Sequence, residues 1–192
     1  MLRSENALIA RICHDIIAPL SAINLGLEAL DTSRDKYLFK GVKESLEHAN
    51  AFIKFIRELF STKSHTFCYS QSSLQQLIEN LLGKYRTQFE LKSDSQNIPS
   101  IAGKIIMYNA LIAKEIIPFG GTVITEIADN SGEIITVYIG NKATAPYFRT
   151  NQEPDHKNIM RLYLLKLLTE SGLKITARQK DSEVIIREEL IN

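Results

Sequence analysis

The chain has 192 residues, 44% of them apolar and 23% charged, which is the make-up of an ordinary soluble globular protein with room for one full domain and a smaller one. Lys and Arg number 23 against 22 Asp and Glu, so no net field draws it to nucleic acid or to an acidic membrane, and general polyanion binding is excluded. The opening MLRSENALIARICHD lacks the apolar core and cleavage site of a secretory signal, and no apolar run reads as a bilayer span, so a cytoplasmic protein with no membrane contact is expected.

From Ser4, read as an N-cap, apolar residues recur at Ile9, Ile12, Ile16, Leu20, Ile23, Leu27 and Leu30 in steps of three and four, as one helical stripe requires. Two consecutive fours fall beside Pro19, which predicts one helix bent where the proline removes a hydrogen bond. Asp31, Thr32, Ser33 and Arg34 favour a turn. A second helix is predicted to about Phe60, with Phe39, Val42, Leu46, Ala49, Ile53, Ile56 and Phe60 forming a regular heptad seam. Two such helices, roughly 40 Å long at 1.5 Å per residue, make an antiparallel hairpin over residues 1–62. A lone hairpin cannot cover both stripes, and Phe52 and Leu59 widen the uncovered surface. A homodimer closing a four-helix bundle is the expected remedy.

Within the first helix, the stretch HDIIAPL sets His14 beside Asp15. At 100° per residue the stripe of Ile12, Ile16 and Ile23 lies on the opposite side from His14, which therefore faces solvent. Arg11, Ile17, Ala18, Ser21 and Leu25 share its azimuth, a small, partly apolar surface with one cation. A neutral imidazole is nucleophilic near physiological pH, and an adjacent acid can hold one ring nitrogen while the other reacts. These features make His14 a candidate phosphoryl carrier, Asp15 its orienting acid and Ile17, Ala18, Ser21 and Leu25 a docking face. Arg11 either helps neutralise phosphoryl charge or is a solvated side chain. His48, His65 and His156 lack such a setting and are read as ordinary core or surface residues. The two cysteines, Cys13 and Cys68, show no metal or redox spacing and are read as reduced thiols. No metal site is expected.

A polar linker, STKSHTFCYSQSS, precedes a second domain of residues 63–192. SLQQLIENLLGKY reads as a helix, TQFELKS as a strand followed by a loop, and IAGKIIMYNALIAKEIIPF as a helix closed by Gly120 and Gly121. TVITEIA and EIITVYI alternate as a hairpin about DNSG; a loop with Pro146 and Pro154 leads to helix NIMRLYLLKLLTES; LKITARQ and EVIIREEL form a last hairpin. The fold class is α+β: a helical hairpin, then a sheet of about five strands with helices on one face.

HDIIAPL resembles the phospho-accepting box of histidine kinases. The longer run ARICHDIIAPLSAINLGLEAL, with FIKFIRELF at the end of the second helix including Arg57, resembles the ChpT-type histidine phosphotransferases of alphaproteobacteria. Residues 63–192 resemble, in element order, a histidine-kinase ATPase domain made degenerate. Tyr108 and Ile112 stand where the metal-binding asparagines would be, GNKATAP replaces the adenine-contacting acid and its glycines, and NIMRL replaces a glycine-rich lid. The resemblance implies a histidine phosphotransferase that accepts a phosphoryl group from the receiver domain of a hybrid histidine kinase and passes it to a response-regulator receiver. It uses no ATP, and magnesium comes with the receiver. The competing readings are an ATP-dependent sensor histidine kinase fragment and a non-catalytic dimeric receiver binder.

Overall fold

The computed structural model describes residues 2–32, 35–64, 66–128, 132–146, 148 and 153–190. The elements are α1 (Leu2–Thr32), α2 (Lys36–Leu59), β1 (Cys68–Ser70), α3 (Gln71–Leu82), β2 (Thr87–Ser93), β3 (Asn97–Pro99), α4 (Ser100–Ile116), β4 (Gly121–Ala128), β5 (Glu133–Ile139), α5 (Ile159–Glu170), β6 (Leu173–Lys180) and β7 (Glu183–Leu190). They form two compact units, residues 1–60 with 154–159 and residues 61–153 with 160–192. The expected boundary after residue 62 lies two positions from the end of the first segment; the assignment of 154–159 to the helical unit was not foreseen.

In the first unit α1 is one helix through Pro19, which supplies no N–H to the carbonyl of Asp15. It starts ahead of the expected cap at Ser4 and continues through Asp31 and Thr32, two residues expected in a turn. Thr32, the last residue of α1, donates its hydroxyl to the Ala29 carbonyl at 3.0 Å. The rest of that turn, Ser33 and Arg34, lies outside the described residues. Asp35 caps α2, its carboxylate accepting from the Tyr37 N–H at 2.7 Å. The helices approach closely at Gly26, where a Cβ would overlap Val42 Cγ2.

The heptad seam on α2 coincides with its buried face only in part. Of the seam, Ala49 is buried and Val42 and Ile56 are half-buried, whereas Phe39, Leu46, Ile53 and Phe60 stay exposed; Phe52, Phe55 and Leu59, beside the seam, are buried together with His48. On α1 the stripe divides likewise, with Ile12, Ile16, Ile23 and Leu30 half-buried and Ile9, Leu20 and Leu27 exposed. By length and composition α1 is also apolar enough to cross a membrane, contrary to the expectation that no run is; a core helix or a signal sequence passes the same test.

In the second unit a five-stranded mixed sheet runs in the order β2-β4-β5-β7-β6, parallel only between β2 and β4. The supposed linker is structured in its second half, since β1 pairs with β3 inside the loop expected after β2. Ser70 then caps α3 by accepting from the Ser73 N–H. Gly120 at φ +86° makes the tight turn into β4, where a Cβ would strike the Arg86 carbonyl. The turn DNSG falls largely outside the described residues.

Alternation along the strands gives one sheet face to the core: Phe89, Leu91, Val123, Thr125, Ile134, Thr136, Tyr138, Val184, Ile186 and Glu188 are buried. Against this unit's core lies α4, buried nearly all round from Ile105 to Ile116. The most polar part of the interior is here. Asn109 donates through Nδ2 to Thr136 Oγ1 and to Glu188 Oε1, both at 3.0 Å, and the Tyr138 hydroxyl donates to the Asn109 carbonyl at 3.0 Å. Burial pushes the Glu188 carboxyl up to about 8, although the hydrogen bond from Asn109 pulls the other way.

Candidate functional site

α1 carries the site because its phase puts His14 away from the half-buried Ile12, Ile16 and Ile23. The His14 side chain is 73% exposed. Its Nδ1 lies 3.2 Å from Asp15 Oδ1. A carboxylate accepts only, so the ring nitrogen facing it is the protonated one, and Nε2 is left with its lone pair directed elsewhere. Adjacent residues on a helix point about 100° apart, and this pair meets because the short Asp15 side chain turns toward the ring.

Arg11 is not where the sequence suggested. It shares the azimuth of His14 but is buried, 10% exposed at the side chain, as Asp15 is at 11%. Its Nε donates to Asp15 Oδ2 at 2.8 Å, and a terminal nitrogen donates to the backbone carbonyl of His156 at 2.9 Å. The guanidinium thereby holds two protein acceptors and is not the solvated side chain of the alternative reading. The signal for half of this was present: Arg11 and Asp15 are four apart on one helix, the spacing at which opposite charges meet. The other half, a backbone carbonyl from residue 156, has no side-chain signature.

His156 lies in a turn held by reciprocal hydrogen bonds of Asp155 and Asn158. Asp155 Oδ1 accepts from the N–H groups of Lys157 and Asn158, each at 2.8 Å, while Asn158 Oδ1 accepts from the Asp155 N–H at 3.0 Å. The N–H bond from Asn158, and next that from Lys157, holds the Asp155 carboxyl below its usual range. The turn leads directly into α5 through a bond from the Ile159 N–H to the Asp155 carbonyl.

The proposed docking residues Ile17, Ala18, Ser21 and Leu25 are all exposed on α1, and Ile17 and Leu25 are among the larger apolar side chains in solvent. Of the other histidines, His48 is buried and His65 lies outside the described residues. Both cysteines are free thiols. In the second unit Tyr108 and Ile112, at the positions that resemble metal-binding ones, are buried. Burial, and then the neighbouring Tyr163, raises the Tyr108 phenol well above its ordinary value, so it is not an anionic ligand.

Comparison with known proteins gives a consistent family. Residues 72–183 match the model of the histidine phosphotransferase C-terminal domain. The chain is 26% identical to the protein phosphotransferase ChpT of Brucella abortus over 95% of its own length and 93% of that protein. A solved bacterial phosphotransferase superposes with a TM-score of 0.85 at 24% identity, covering 98% of this chain and 96% of the other. The histidine kinase ThkA, solved in complex with the response regulator protein TrrA, matches with a TM-score of 0.51 at 13% identity, over 95% of this chain and 60% of that one.

Proposed function

Because the chain belongs to the histidine phosphotransferase family, whose members work in phosphorelays, we propose that His14 is its phosphoryl carrier. The observation that carries this reading is an exposed imidazole whose Nδ1 faces a carboxylate, leaving Nε2 open on a helix face that also exposes Ile17, Ala18, Ser21 and Leu25. A receiver domain of a hybrid histidine kinase docks on that face. The Nε2 lone pair attacks phosphorus in line, the bond from phosphorus to the receiver's aspartate breaks, and the aspartate leaves as a carboxylate. The Nδ1 proton stays on the ring, and the positive charge that develops there lies against Asp15. A response-regulator aspartate reverses these steps.

No ATP is used in this scheme. The positions that resemble magnesium ligands hold a buried phenol and a buried isoleucine, neither of which offers an anionic oxygen. Magnesium arrives with the receiver. The exposed stripes of Ile9, Leu20 and Leu27 on α1 and of Phe39, Leu46 and Ile53 on α2 are covered by a second copy in a homodimeric four-helix bundle. The same assembly accounts for the apolarity of α1 without a membrane, since Arg11, His14 and Asp15 at mid-helix would be costly in a bilayer. The protein accordingly works in the cytoplasm, in the manner of the alphaproteobacterial type it resembles.

The test is transfer of label from a phosphorylated receiver, with acid-labile, alkali-stable product on this chain. Wild type takes the label and His14→Ala does not. Equal labelling of both rules out His14 as the carrier.

A further inference from the structure

A buried guanidinium is costly unless its donors are met, and Arg11 meets two acceptors, one of them 145 residues away from it in sequence. On one side is Asp15 Oδ2, and on the other the carbonyl of His156, which sits in the middle of a turn fixed by the reciprocal Asp155 and Asn158 bonds. We propose that the segment Pro154–Asn158 is part of the phosphotransfer site and that Arg11 is a positioning residue through which the segment sets the tautomer of His14. The proposal rests on His14 being the carrier.

The chain of contacts has a definite chemical consequence. With Oδ2 occupied by Arg11, Asp15 has Oδ1 for the ring, at 3.2 Å from Nδ1. That choice keeps the proton on Nδ1 and the lone pair on Nε2. The guanidinium does not touch the reacting atoms. It is held by the turn so that the carboxylate cannot rotate away from the ring, which is how a planar fork with fixed donor directions differs from a point charge. If the turn is loosened, the His156 carbonyl moves, Arg11 loses one of its anchors, and Asp15 is free to follow it. The imidazole then samples the Nε2-protonated form, which has no lone pair at the attacking position.

The experiment uses the full chain and a small phosphoryl donor, phosphoramidate, so that receiver docking does not enter. Two readouts are taken on each variant: the rate of phosphohistidine formation, and the His14 ring tautomer from long-range proton–nitrogen NMR spectra. Wild type should show the Nδ1-protonated form. Arg11→Met and Asn158→Ala should both shift His14 toward the Nε2-protonated form and slow labelling by about tenfold or more, the scale expected when a ring loses its correct protonation state. Arg11→Lys, able to reach one acceptor but not to bridge both, should fall between. Asp155→Ala breaks the same turn by another route and should reproduce Asn158→Ala, which separates an effect of the turn from an accident of one substitution. A wild-type tautomer and rate in both turn variants overturns the proposal. So does a slowed rate with an unchanged tautomer, which would mark a merely structural contact. His14→Ala is run alongside: labelling of that variant at the wild-type rate would overturn the carrier assignment itself, whereas an inert His14→Ala beside wild-type Arg11 and turn variants overturns the positioning role alone.

Discussion

Glu188 is the sharpest quantitative handle on this fold, and Glu188→Gln is the perturbation that reads it. The side chain is fully buried on β7 and accepts from Asn109, and burial lifts its carboxyl from the ordinary 4.5 to about 8. Below pH 4.5 the folded and unfolded chains both hold this proton. Between pH 4.5 and about 8 the unfolded chain has released it while the folded chain retains it, so the unfolded state binds fewer protons and stability falls as pH rises. The slope is about 1.4 kcal/mol per pH unit for one proton, or about 3 kcal/mol lost by pH 7 relative to pH 4.5. A glutamine retains an acceptor for Asn109 and has no proton to lose. Urea denaturation of both proteins at one fixed concentration should give nearly equal stabilities at pH 4.5, with the difference widening to about 3 kcal/mol in favour of Glu188→Gln at pH 7. Parallel stability curves over this range would refute the idea that Glu188 is protonated in the folded protein.

Gly26→Ala should destabilise the hairpin by about 1 kcal/mol in urea denaturation: helix propensity gains about 1 kcal/mol, and forcing a methyl onto Val42 costs roughly 1–3 kcal/mol. Adding Val42→Ala should recover part of that loss, and strict additivity of the two changes would exclude the close approach as its cause. Replacing the exposed Phe39 and Ile53 with Asp should convert a dimer to monomer in sedimentation at micromolar concentration, and an unchanged sedimentation coefficient would exclude that face as the dimer seam. Leu25→Asp, on the exposed face beside His14, should raise KM for a phosphorylated receiver by about tenfold, equivalent to about 1.4 kcal/mol of lost contact. Incubation with labelled ATP and magnesium should leave the chain unlabelled, and label on His14 would restore the kinase reading.

Most of the fold was legible because its elements carry strong periodicity. β2, β4, β5, β6 and β7 all fall on the alternating runs that predicted strands, and the long helices on their three-and-four stripes. What failed did so for local reasons. The strands β1 and β3 are three residues each, too short to show alternation, and they exist because they pair with each other across the 26 residues between them. Asp31 and Thr32 have turn chemistry, but Thr32 is satisfied inside the helix. On α2 the regular heptad marked a real apolar face, but only Ala49 of it is buried within the chain, with Val42 and Ile56 half-buried. That helix is apolar on two sides, and periodicity reports apolar faces without saying what covers them. The neighbouring residues Phe52 and Leu59, which had looked like mere extensions of the seam, belong with Phe55 to the buried face.

The site was legible in proportion to how local it is. His14 and Asp15 are adjacent, and helical phase alone turns the histidine outward. The Arg11–Asp15 pair is separated by one turn, and its spacing was visible although its consequence was not. A solvated arginine and an arginine buried against a carboxylate have the same sequence, and what distinguishes them here is a second acceptor delivered from residue 156. That acceptor is a carbonyl, common to every residue, so only the fold can say which one arrives. The residues that deliver it, Asp155 and Asn158, do carry a readable pattern: two short polar side chains three apart before the apolar run of α5. Such a pattern normally says only where a helix starts. In this chain the helix start also fixes a carbonyl against the arginine behind the proposed phosphoryl carrier, so under that proposal a cap that would be worth little beyond stability elsewhere becomes, through Arg11, a constraint on which nitrogen of His14 reacts.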